Sequence, residues 1–445
     1  MRTGRESGGS AREVALLALS ACEKQGAWSN AYLKKAIRDA ALDSRDAALC
    51  TRLCFGVLQN KGLLDHYLGQ LSHFPLEKME ERVVECLRLG AYQLLFLDRV
   101  PPSAAVNESV NLARRYGKNP RVAGVVNGIL RNLLRSRDTL QAPQDLGTRY
   151  SHPDWLVKEF SRSLPDAEEL EALLAADNQE VPTMAQVNLL RSDVPQALAL
   201  LHREGMEAEE HPWLRGCLLL RSTGDLERSQ AFRDGIIYIQ DPAARLAVMA
   251  AGAEPGMRVL DACAAPGGKS FAAAIAMGDK GAVVSCDIHP HKEQLIRAGA
   301  ERLGLTCITA MTRDAKQAVP EWEGGFDLVI ADVPCSGLGI IRKKPDVRYK
   351  DPAPLSGLPA VQGAILDNVG RYVRPGGVLL YATCTLLERE NRAVVDGFLT
   401  RRTDFVPEGF TLPGPVGRCE AGMLTLWPHR HGTDGFFFAK LRRKL

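Results

Sequence analysis

Apolar residues recur three and four positions apart over the first third of the chain, which is the spacing of one face of an α-helix. The pattern runs from residue 11 to about residue 134 and begins with Val14, Leu17 and Ala18. Prolines stand between the apolar runs and mark breaks in the helices: Pro75, Pro101, Pro102 and Pro120. We therefore expect an all-helical N-terminal domain over residues 1–142.

The pattern changes after a stretch rich in Gln, Pro, Asp and Gly at residues 141–148, which is the predicted linker. A segment with a helix-like pattern at Trp155 to Phe160 is followed by strand-like runs at Met184 to Leu190 and Cys217 to Leu220. This mixture predicts a small α+β domain over residues 148–235.

From Met257 onward strand-like and helix-like segments alternate. The strand-like segments are Met257 to Leu260, Ala282 to Ile288, Phe326 to Ala331, Val378 to Thr383 and Gly435 to Leu441. Alternation of this kind is typical of a doubly wound α/β sheet, in which ligands bind at the carboxyl ends of the parallel strands. We expect a Rossmann-like α/β domain over residues 236–445.

Composition narrows the class of protein. The chain has 445 residues, 45% of them hydrophobic and 24% charged, as in ordinary globular proteins. Met1 to Arg12 is polar, and no run approaches eighteen apolar residues, so we expect neither a secretion signal nor a membrane span. Eleven cysteines without any Cys-x-x-Cys pair, beside nine histidines, fit a reducing cytoplasm and predict no metal site.

Charge is unevenly distributed. Residues 1–140 carry 21 Lys and Arg against 14 Asp and Glu, a net charge of +7. A stretch without any acid holds seven of these basic residues: Arg114, Arg115, Lys118, Arg121, Arg131, Arg135 and Arg137. Such a run is either a solvated helical face or the electrostatic footprint of a nucleic acid, and only nucleic-acid chemistry elsewhere in the chain favours the second interpretation.

A glycine-rich turn follows the strand-like run at Met257 to Leu260. Its residues are Cys263, Ala264, Ala265, Pro266, Gly267, Gly268, Lys269 and Ser270. A P-loop is excluded because Cys263 stands where that motif requires a glycine. Glycines before a helix instead allow close approach of a cofactor whose carboxylate meets free amides, and S-adenosylmethionine fits better than a triphosphate.

Three acids stand at successive strand ends. Asp287 is placed to accept hydrogen bonds from ribose hydroxyls, Asp314 from an adenine amine, and Asp332 ends the third strand. Each alone is more commonly a turn or helix-cap residue. Their repetition favours a cofactor site.

Cys335 and Cys384 each follow a strand-like run. Free cysteines are usually small buried hydrophobes, and Cys263, Cys286 and Cys307 fit that description. Cys335 lies instead in a Pro-Cys-Ser-Gly loop and Cys384 closes a strand, so both are candidate nucleophiles. A thiolate added to carbon 6 of a pyrimidine makes carbon 5 reactive toward a methyl sulfonium, which explains a cysteine beside a methyl donor.

At these motifs the chain resembles the RNA (cytosine-5) methyltransferases of the Sun/Fmu family, in particular the bacterial small-subunit rRNA enzymes with a NusB-like helical domain. Besides the cofactor loop and both cysteine loops, the resemblance rests on three runs: Val126 to Asn132, Ser151 to Trp155, and Asp434 to Ala439. It implies a methyltransferase fold for the C-terminal domain and methylation of a cytosine in 16S rRNA.

The resemblance also implies roles. Cys384 is the nucleophile, Cys335 assists release as the base in elimination, Asp332 holds the cytosine edge, and Lys269 neutralises charge nearby. The cofactor S-adenosylmethionine is expected to contact residues 263–269 together with Asp287, Asp314 and Asp332. The target base would have to be extruded or single-stranded to reach this pocket.

Departures from the family pattern are small: Ala382 and Thr385 flank the nucleophile where serine is frequent, and Arg313 stands where glycine is common. Arg342, Lys343 and Lys344 are candidates for RNA phosphate contacts or are solvated side chains. We expect a cytoplasmic monomer that needs no protein partner. The alternatives are the same chemistry on tRNA or another RNA, and a non-catalytic ribosome-assembly factor that binds RNA.

Overall fold

The computed structural model describes residues 10–25, 29–221 and 223–445. The expectation about a secretion signal concerns residues that lie largely outside this range. The chain forms two compact units: residues 1–179 with 341–350, and residues 180–340 with 351–445. We refer to them as the first and second units.

Helices build the first unit. They are α1 (Ala11–Gln25), α2 (Ser29–Asp39), α3 (Ser44–Gln59), α4 (Lys61–Leu71), α5 (Glu81–Phe96), α6 (Pro102–Tyr116), α7 (Val122–Ser136), α8 (Leu146–Tyr150), α9 (Asp154–Ser163) and α10 (Ala167–Ala176). Leu53, Leu87 and Leu130 from three different helices are fully buried in one core. The predicted all-helical domain is therefore confirmed.

A segment distant in sequence completes the first unit. Arg348, within residues 341–350, is fully buried, and its guanidinium donates hydrogen bonds to the carbonyl oxygens of Tyr150 and Asp177 at 3.1 and 3.2 Å and to Asn178 Oδ1 at 2.8 Å. Tyr349 donates its hydroxyl to the carbonyl of Leu58 at 2.8 Å. Since buried polar groups need partners, this segment is an integral part of the helical core.

A small antiparallel sheet begins the second unit. Its elements are β1 (Thr183–Val187), α11 (Val194–Arg203), β2 (Glu207–Glu210), β3 (Cys217–Arg221), α12 (Gln230–Arg233) and β4 (Ile237–Ile239). The strand order is β2-β3-β1-β4. Both strand-like runs predicted from the sequence lie in this sheet, as β1 and β3, which confirms the α+β character.

The large sheet follows. Its strands, with the helices that connect them, are α13 (Pro242–Ala251), β5 (Arg258–Asp261), α14 (Gly268–Ala276), β6 (Ala282–Asp287), α15 (Pro290–Leu303), β7 (Ile308–Thr312), β8 (Phe326–Asp332), α16 (Leu358–Val369), β9 (Val373–Thr383), α17 (Arg392–Arg401), β10 (Phe405–Pro407), β13 (Met423–Leu426), α18 (Pro428–His431) and β14 (Phe436–Arg443). Between β10 and β13 in sequence, β11 (Phe410–Leu412) and β12 (Gly417–Cys419) pair as a separate two-stranded sheet.

The order of the large sheet is β10-β14-β9-β8-β5-β6-β7, and β13 also pairs with β14. The strands β5 to β9 run parallel, whereas β14 pairs antiparallel with β9, and β10 and β13 pair antiparallel with β14. Buried apolar side chains such as Leu260, Val329 and Leu380 fill both faces. The predicted α/β architecture is confirmed.

Parallel strands bring their carboxyl ends to one edge, and the register shows which residues meet there. Asp332 at the end of β8 pairs with Ala382 in β9. The Pro-Cys loop and Cys384 therefore leave the sheet side by side. In the part of the chain that the structure describes, no helix has the length and hydropathy needed to cross a bilayer.

Candidate active site

The two cysteines predicted to be chemically active lie together. Cys335 Sγ and Cys384 Sγ are 3.3 Å apart, and both thiols are free. A hydrogen bond with Cys384, together with burial, raises the pKa of Cys335 well above its ordinary value. Two thiolates at this distance would repel each other, so the pair holds one negative charge at most near neutral pH.

A buried glutamate holds the Pro-Cys loop. Glu390 Oε2 accepts hydrogen bonds from the backbone N–H of Ser336 and from Gln362 Nε2, both at 2.9 Å. Ser336 also donates its hydroxyl to Thr385 Oγ1 at 2.7 Å. Thr385, a position where the family pattern often has serine, thus joins the two cysteine loops. Glu390 could not be recognised from the sequence, because burial rather than spacing distinguishes it.

Two glycines bring three loops into contact. The Gly339 N–H donates to the carbonyl of Cys384 at 2.9 Å, and the Gly435 N–H donates to the carbonyl of Gly339 at 2.8 Å. A Cβ at Gly339 would lie 1.8 Å from the Gly435 carbonyl oxygen. The run Asp434 to Ala439 therefore supports the position of the reactive loops.

Lys269 and Asp332 form an ion pair beside the thiols. Lys269 Nζ is 2.6 Å from Asp332 Oδ2, and it also lies 5.0 Å from the ring centre of Phe436. Burial alone would lower the pKa of Lys269, but the Asp332 carboxylate outweighs it and raises the pKa. The lysine is thus a fixed cation, and it interacts electrostatically with Cys384 as well.

The glycine-rich turn has the geometry of a cofactor loop. Gly267 has φ of +112°, and a Cβ there would lie 2.3 Å from the Phe271 ring, so only glycine fits. The Gly267 N–H donates to the carbonyl of Ala264, which closes the turn before α14. The first backbone amides of α14 consequently face the edge of the sheet where the thiols lie.

Asp261 is a site residue that the sequence analysis missed. It ends β5 as Asp287 ends β6, and that shared position was the signal available. Its Oδ2 accepts a hydrogen bond from Ser270 Oγ at 2.7 Å, while Oδ1 is buried without a partner among the described residues. Burial raises the pKa of Asp261 to about 7.

Asp287 and Asp314 also lie at this edge. Asp287 is buried at the end of β6, accepts the His289 N–H at 3.1 Å and has Lys292 Nζ at 3.6 Å. Asp314, two residues after β7, accepts the Lys316 N–H at 2.9 Å. Each carboxylate therefore accepts a hydrogen bond from the backbone N–H two residues further along the chain. Their roles toward a cofactor stay predictions.

Cys263, Cys286 and Cys307, the other cysteines considered from the sequence, do not have reactive thiols. Burial raises the pKa of Cys263 well above its ordinary value, and that of Cys286 and Cys307 to about 12. None is a ready thiolate. In residues 10–25, 29–221 and 223–445 no cluster of three or more His, Cys, Asp or Glu side chains is arranged to hold a metal ion.

All seven residues of the basic run are exposed, on α6, on α7 and next to them. Arg115 of this run forms an ion pair with Glu13 at 2.7 Å. The expectation for the three residues after the Pro-Cys loop was partly wrong: Arg342 is buried, and Lys343 and Lys344 are half-buried. Arg342 is therefore not a solvated phosphate contact.

Family models and curated relatives both match this chain to methyltransferases of small-subunit ribosomal RNA. The family described as 16S rRNA methyltransferase RsmB/F matches residues 248–442, the NusB family matches residues 9–135, and a ferredoxin-like domain of RsmF/B-like methyltransferases matches residues 152–227. The chain is 37% identical over 446 residues to the probable ribosomal RNA small subunit methyltransferase B of Bacillus subtilis, covering 98% of this chain and 99% of the relative. The Vibrio cholerae ribosomal RNA small subunit methyltransferase B is 34% identical over 406 residues, 90% of each chain.

Solved structures share the fold. PH0851 superposes with a TM-score of 0.81 at 23% identity and covers 100% of both chains. NSun6 from Pyrococcus horikoshii with SFG has a TM-score of 0.57 at 20% identity, covering 65% of this chain and 98% of that chain.

Proposed function

The chain belongs to the RsmB/F family of 16S rRNA methyltransferases, and we propose that it methylates carbon 5 of one cytosine through a covalent bond to Cys384. The observation that carries this proposal is the pair of thiols 3.3 Å apart beside the Lys269–Asp332 ion pair. The methyl donor of the family is S-adenosylmethionine.

The residues present fit that cofactor. Its amino-acid end needs donors for a carboxylate and an acceptor for an ammonium group, and the first amides of α14 and the orphaned Oδ1 of Asp261 meet these needs. Asp287 at the end of β6 and Asp314 two residues after β7 lie along the same edge, which supports a role for both toward the adenosine. When bound, the cofactor supplies an electrophilic methyl group.

The two thiols have neighbours of opposite charge, which supports different roles for them. Lys269 is the cation that interacts with Cys384, whereas Glu390 interacts with Cys335. A cation stabilises a thiolate and a carboxylate destabilises one. These neighbours support Cys384 as the nucleophile, and Cys335 keeps its proton in the resting enzyme.

The reaction then follows from these positions. The Cys384 thiolate adds to carbon 6 of the cytosine, while Asp332 holds the ring nitrogen and the exocyclic amine, and the electron density gained at carbon 5 is used to accept the methyl group. Once Cys384 is a neutral thioether, the repulsion that protects the Cys335 proton is gone. Cys335 can then release that proton to solvent and, as a thiolate, take up the proton on carbon 5, which restores the double bond and expels the Cys384 thiolate.

The exposed basic run on α6 and α7 supports a role for the first unit in holding RNA phosphates. The division at residues 1–142, 148–235 and 236–445, a cytoplasmic location and a monomeric state belong to the same proposal. The family matches at residues 9–135, 152–227 and 248–442 support the division.

The test is transfer of labelled methyl from S-adenosylmethionine to total RNA from a strain that lacks this gene, followed by mapping of the modified base. Wild type should label one 16S rRNA cytosine at carbon 5, and Cys384→Ala should label nothing. Cys335→Ala should trap a protein–RNA adduct, because elimination stalls.

Label on tRNA or another RNA would keep the chemistry and change the substrate. RNA binding without any methyl transfer would replace the proposal with a ribosome-assembly factor. Methylation that survives in Cys384→Ala would refute the covalent mechanism.

A further inference from the structure

Gln240 has a buried side chain without partners. The residue is 6% exposed, and neither Nε2 nor Oε1 has a hydrogen-bond partner within the described ranges. The neighbouring buried amide differs: Gln186 donates from Nε2 to the carbonyl of Gln240 at 3.0 Å and accepts at Oε1 from Arg245 at 2.6 Å. Because an unpaired buried amide is destabilising, it calls for a ligand that completes its hydrogen bonds.

The amide lies at the cofactor loop. The backbone of Gln240 is fixed, since its N–H donates to the carbonyl of Met184 at 3.2 Å and its carbonyl accepts from Gln186. A Cβ on Gly268, the first residue of α14, would lie 3.2 Å from Gln240 Nε2. The side chain therefore lies against the start of a nine-residue helix whose first amides suit a carboxylate.

A series of contacts places Gln240 on the side of the thiols. The next residue, Asp241, accepts the Asp434 N–H at Oδ1, 3.1 Å away. Gly435 then donates to Gly339, and Gly339 donates to the carbonyl of Cys384. Gln240 is thus linked through the loops of Gly435 and Gly339 to the backbone of Cys384.

The strand order fixes how a cofactor lies across this edge. The thiols follow β8 and β9, the acids Asp287 and Asp314 follow β6 and β7, and β5 with α14 stands between the two pairs. The sulfonium must face the thiols and the adenosine must face the acids. The amino-acid end, attached to the sulfonium, therefore falls near the start of α14, where Gln240 lies.

We propose that Gln240 binds the amino-acid end of S-adenosylmethionine, its Nε2 donating to the carboxylate and its Oε1 accepting from the ammonium group. An amide carries one donor and one acceptor group side by side, which matches this zwitterion. The inference rests on the proposed function for the cofactor, and it adds a residue that lies outside the glycine-rich loop and the strand-end acids.

Two ligands separate this role from a general effect on the site. S-adenosylhomocysteine carries the amino-acid end, and 5′-methylthioadenosine lacks it. Calorimetric titration should show that Gln240→Met binds S-adenosylhomocysteine about tenfold more weakly than wild type does, as expected for one lost buried hydrogen bond to a charged group. The two proteins should bind methylthioadenosine with affinities that agree within about twofold. Gln240→Glu should lower the S-adenosylhomocysteine affinity further, because it places a carboxylate against a carboxylate.

The folded state gives a second readout. Gln240→Met removes an unpaired amide at nearly constant volume, so the ligand-free protein should unfold at a higher Tm than wild type. Gln196→Met, at an exposed glutamine of α11, is the matched control and should change neither affinity. Equal losses for both ligands, or no loss for either, would overturn the role of Gln240, whereas a wild type that binds neither ligand would overturn the cofactor assignment itself.

Discussion

Replacing Cys384 with alanine removes the group that keeps the proton on Cys335. At the observed sulfur–sulfur distance of 3.3 Å, two negative charges repel by about 5 kcal/mol at an effective dielectric constant of about 20. The Cys384→Ala variant should therefore show a lower Cys335 pKa than wild type. Burial and Glu390 remain, so the pKa should stay above that of a free thiol.

The assay is the initial rate of alkylation by iodoacetamide as a function of pH, read separately for each cysteine by peptide mass spectrometry. In wild type the Cys335 peptide should react only at high pH, and in Cys384→Ala its midpoint should move down. Cys307→Ala, which removes a half-buried thiol hydrogen-bonded to Asp279, is the control and should leave the midpoint in place.

An unchanged Cys335 midpoint in Cys384→Ala would refute the reasoning. It would mean that the two thiols do not share one charge, and that bond formation at Cys384 does not free Cys335 to act as the base. The elimination step would then need another base, and Cys335→Ala should no longer trap an adduct.

Three further changes test other parts of the structure. Asp261 has a pKa of about 7 in the folded protein and 3.8 in the unfolded chain, so the folded state binds the proton more tightly. The unfolding free energy of the ligand-free protein should therefore fall by up to about 4 kcal/mol between pH 4 and pH 8. Urea titrations should show this fall in wild type and a smaller one in Asp261→Asn. Arg131→Glu with Arg135→Glu should weaken binding to rRNA fragments and reduce the salt slope by about 2, one for each phosphate contact, whereas an unchanged slope would exclude this face. Arg348→Met leaves buried oxygens unpaired and should cost about 3 kcal/mol of stability in thermal unfolding; a Tm equal to wild type would contradict its structural role.

Local patterns explain why much of the fold could be predicted from the sequence. Strands β5, β6 and β8 are short apolar runs that end in an acid, and both features are visible without any tertiary information. The rule that parallel strands end at one edge explains why Cys335 and Cys384, which each follow a strand-like run, lie together. The antiparallel β13 and β10 beside this core were not predicted, because their three- and four-residue strands carry too little periodicity.

Tertiary contacts explain what could not be predicted. Residues 341–350 follow the Pro-Cys loop in sequence and were assigned to the C-terminal domain, yet they pack within the first unit through Arg348. Arg348 is a common surface residue type, and only its four oxygen neighbours reveal that it is buried. Such a contact cannot be predicted from the charge and spacing of residues along the chain.

The assignment of roles to the two thiols depends on the same kind of information. In the sequence Cys335 and Cys384 are equivalent, since each follows an apolar strand and each lies in a short polar loop, and only a family resemblance separated them. In the structure the neighbours separate them: the Lys269 cation interacts with Cys384, and the Glu390 carboxylate holds the loop of Cys335 and interacts with its thiol. Because a cation stabilises a thiolate and a carboxylate destabilises one, these neighbours support the proposal that Cys384 is the nucleophile and Cys335 the base.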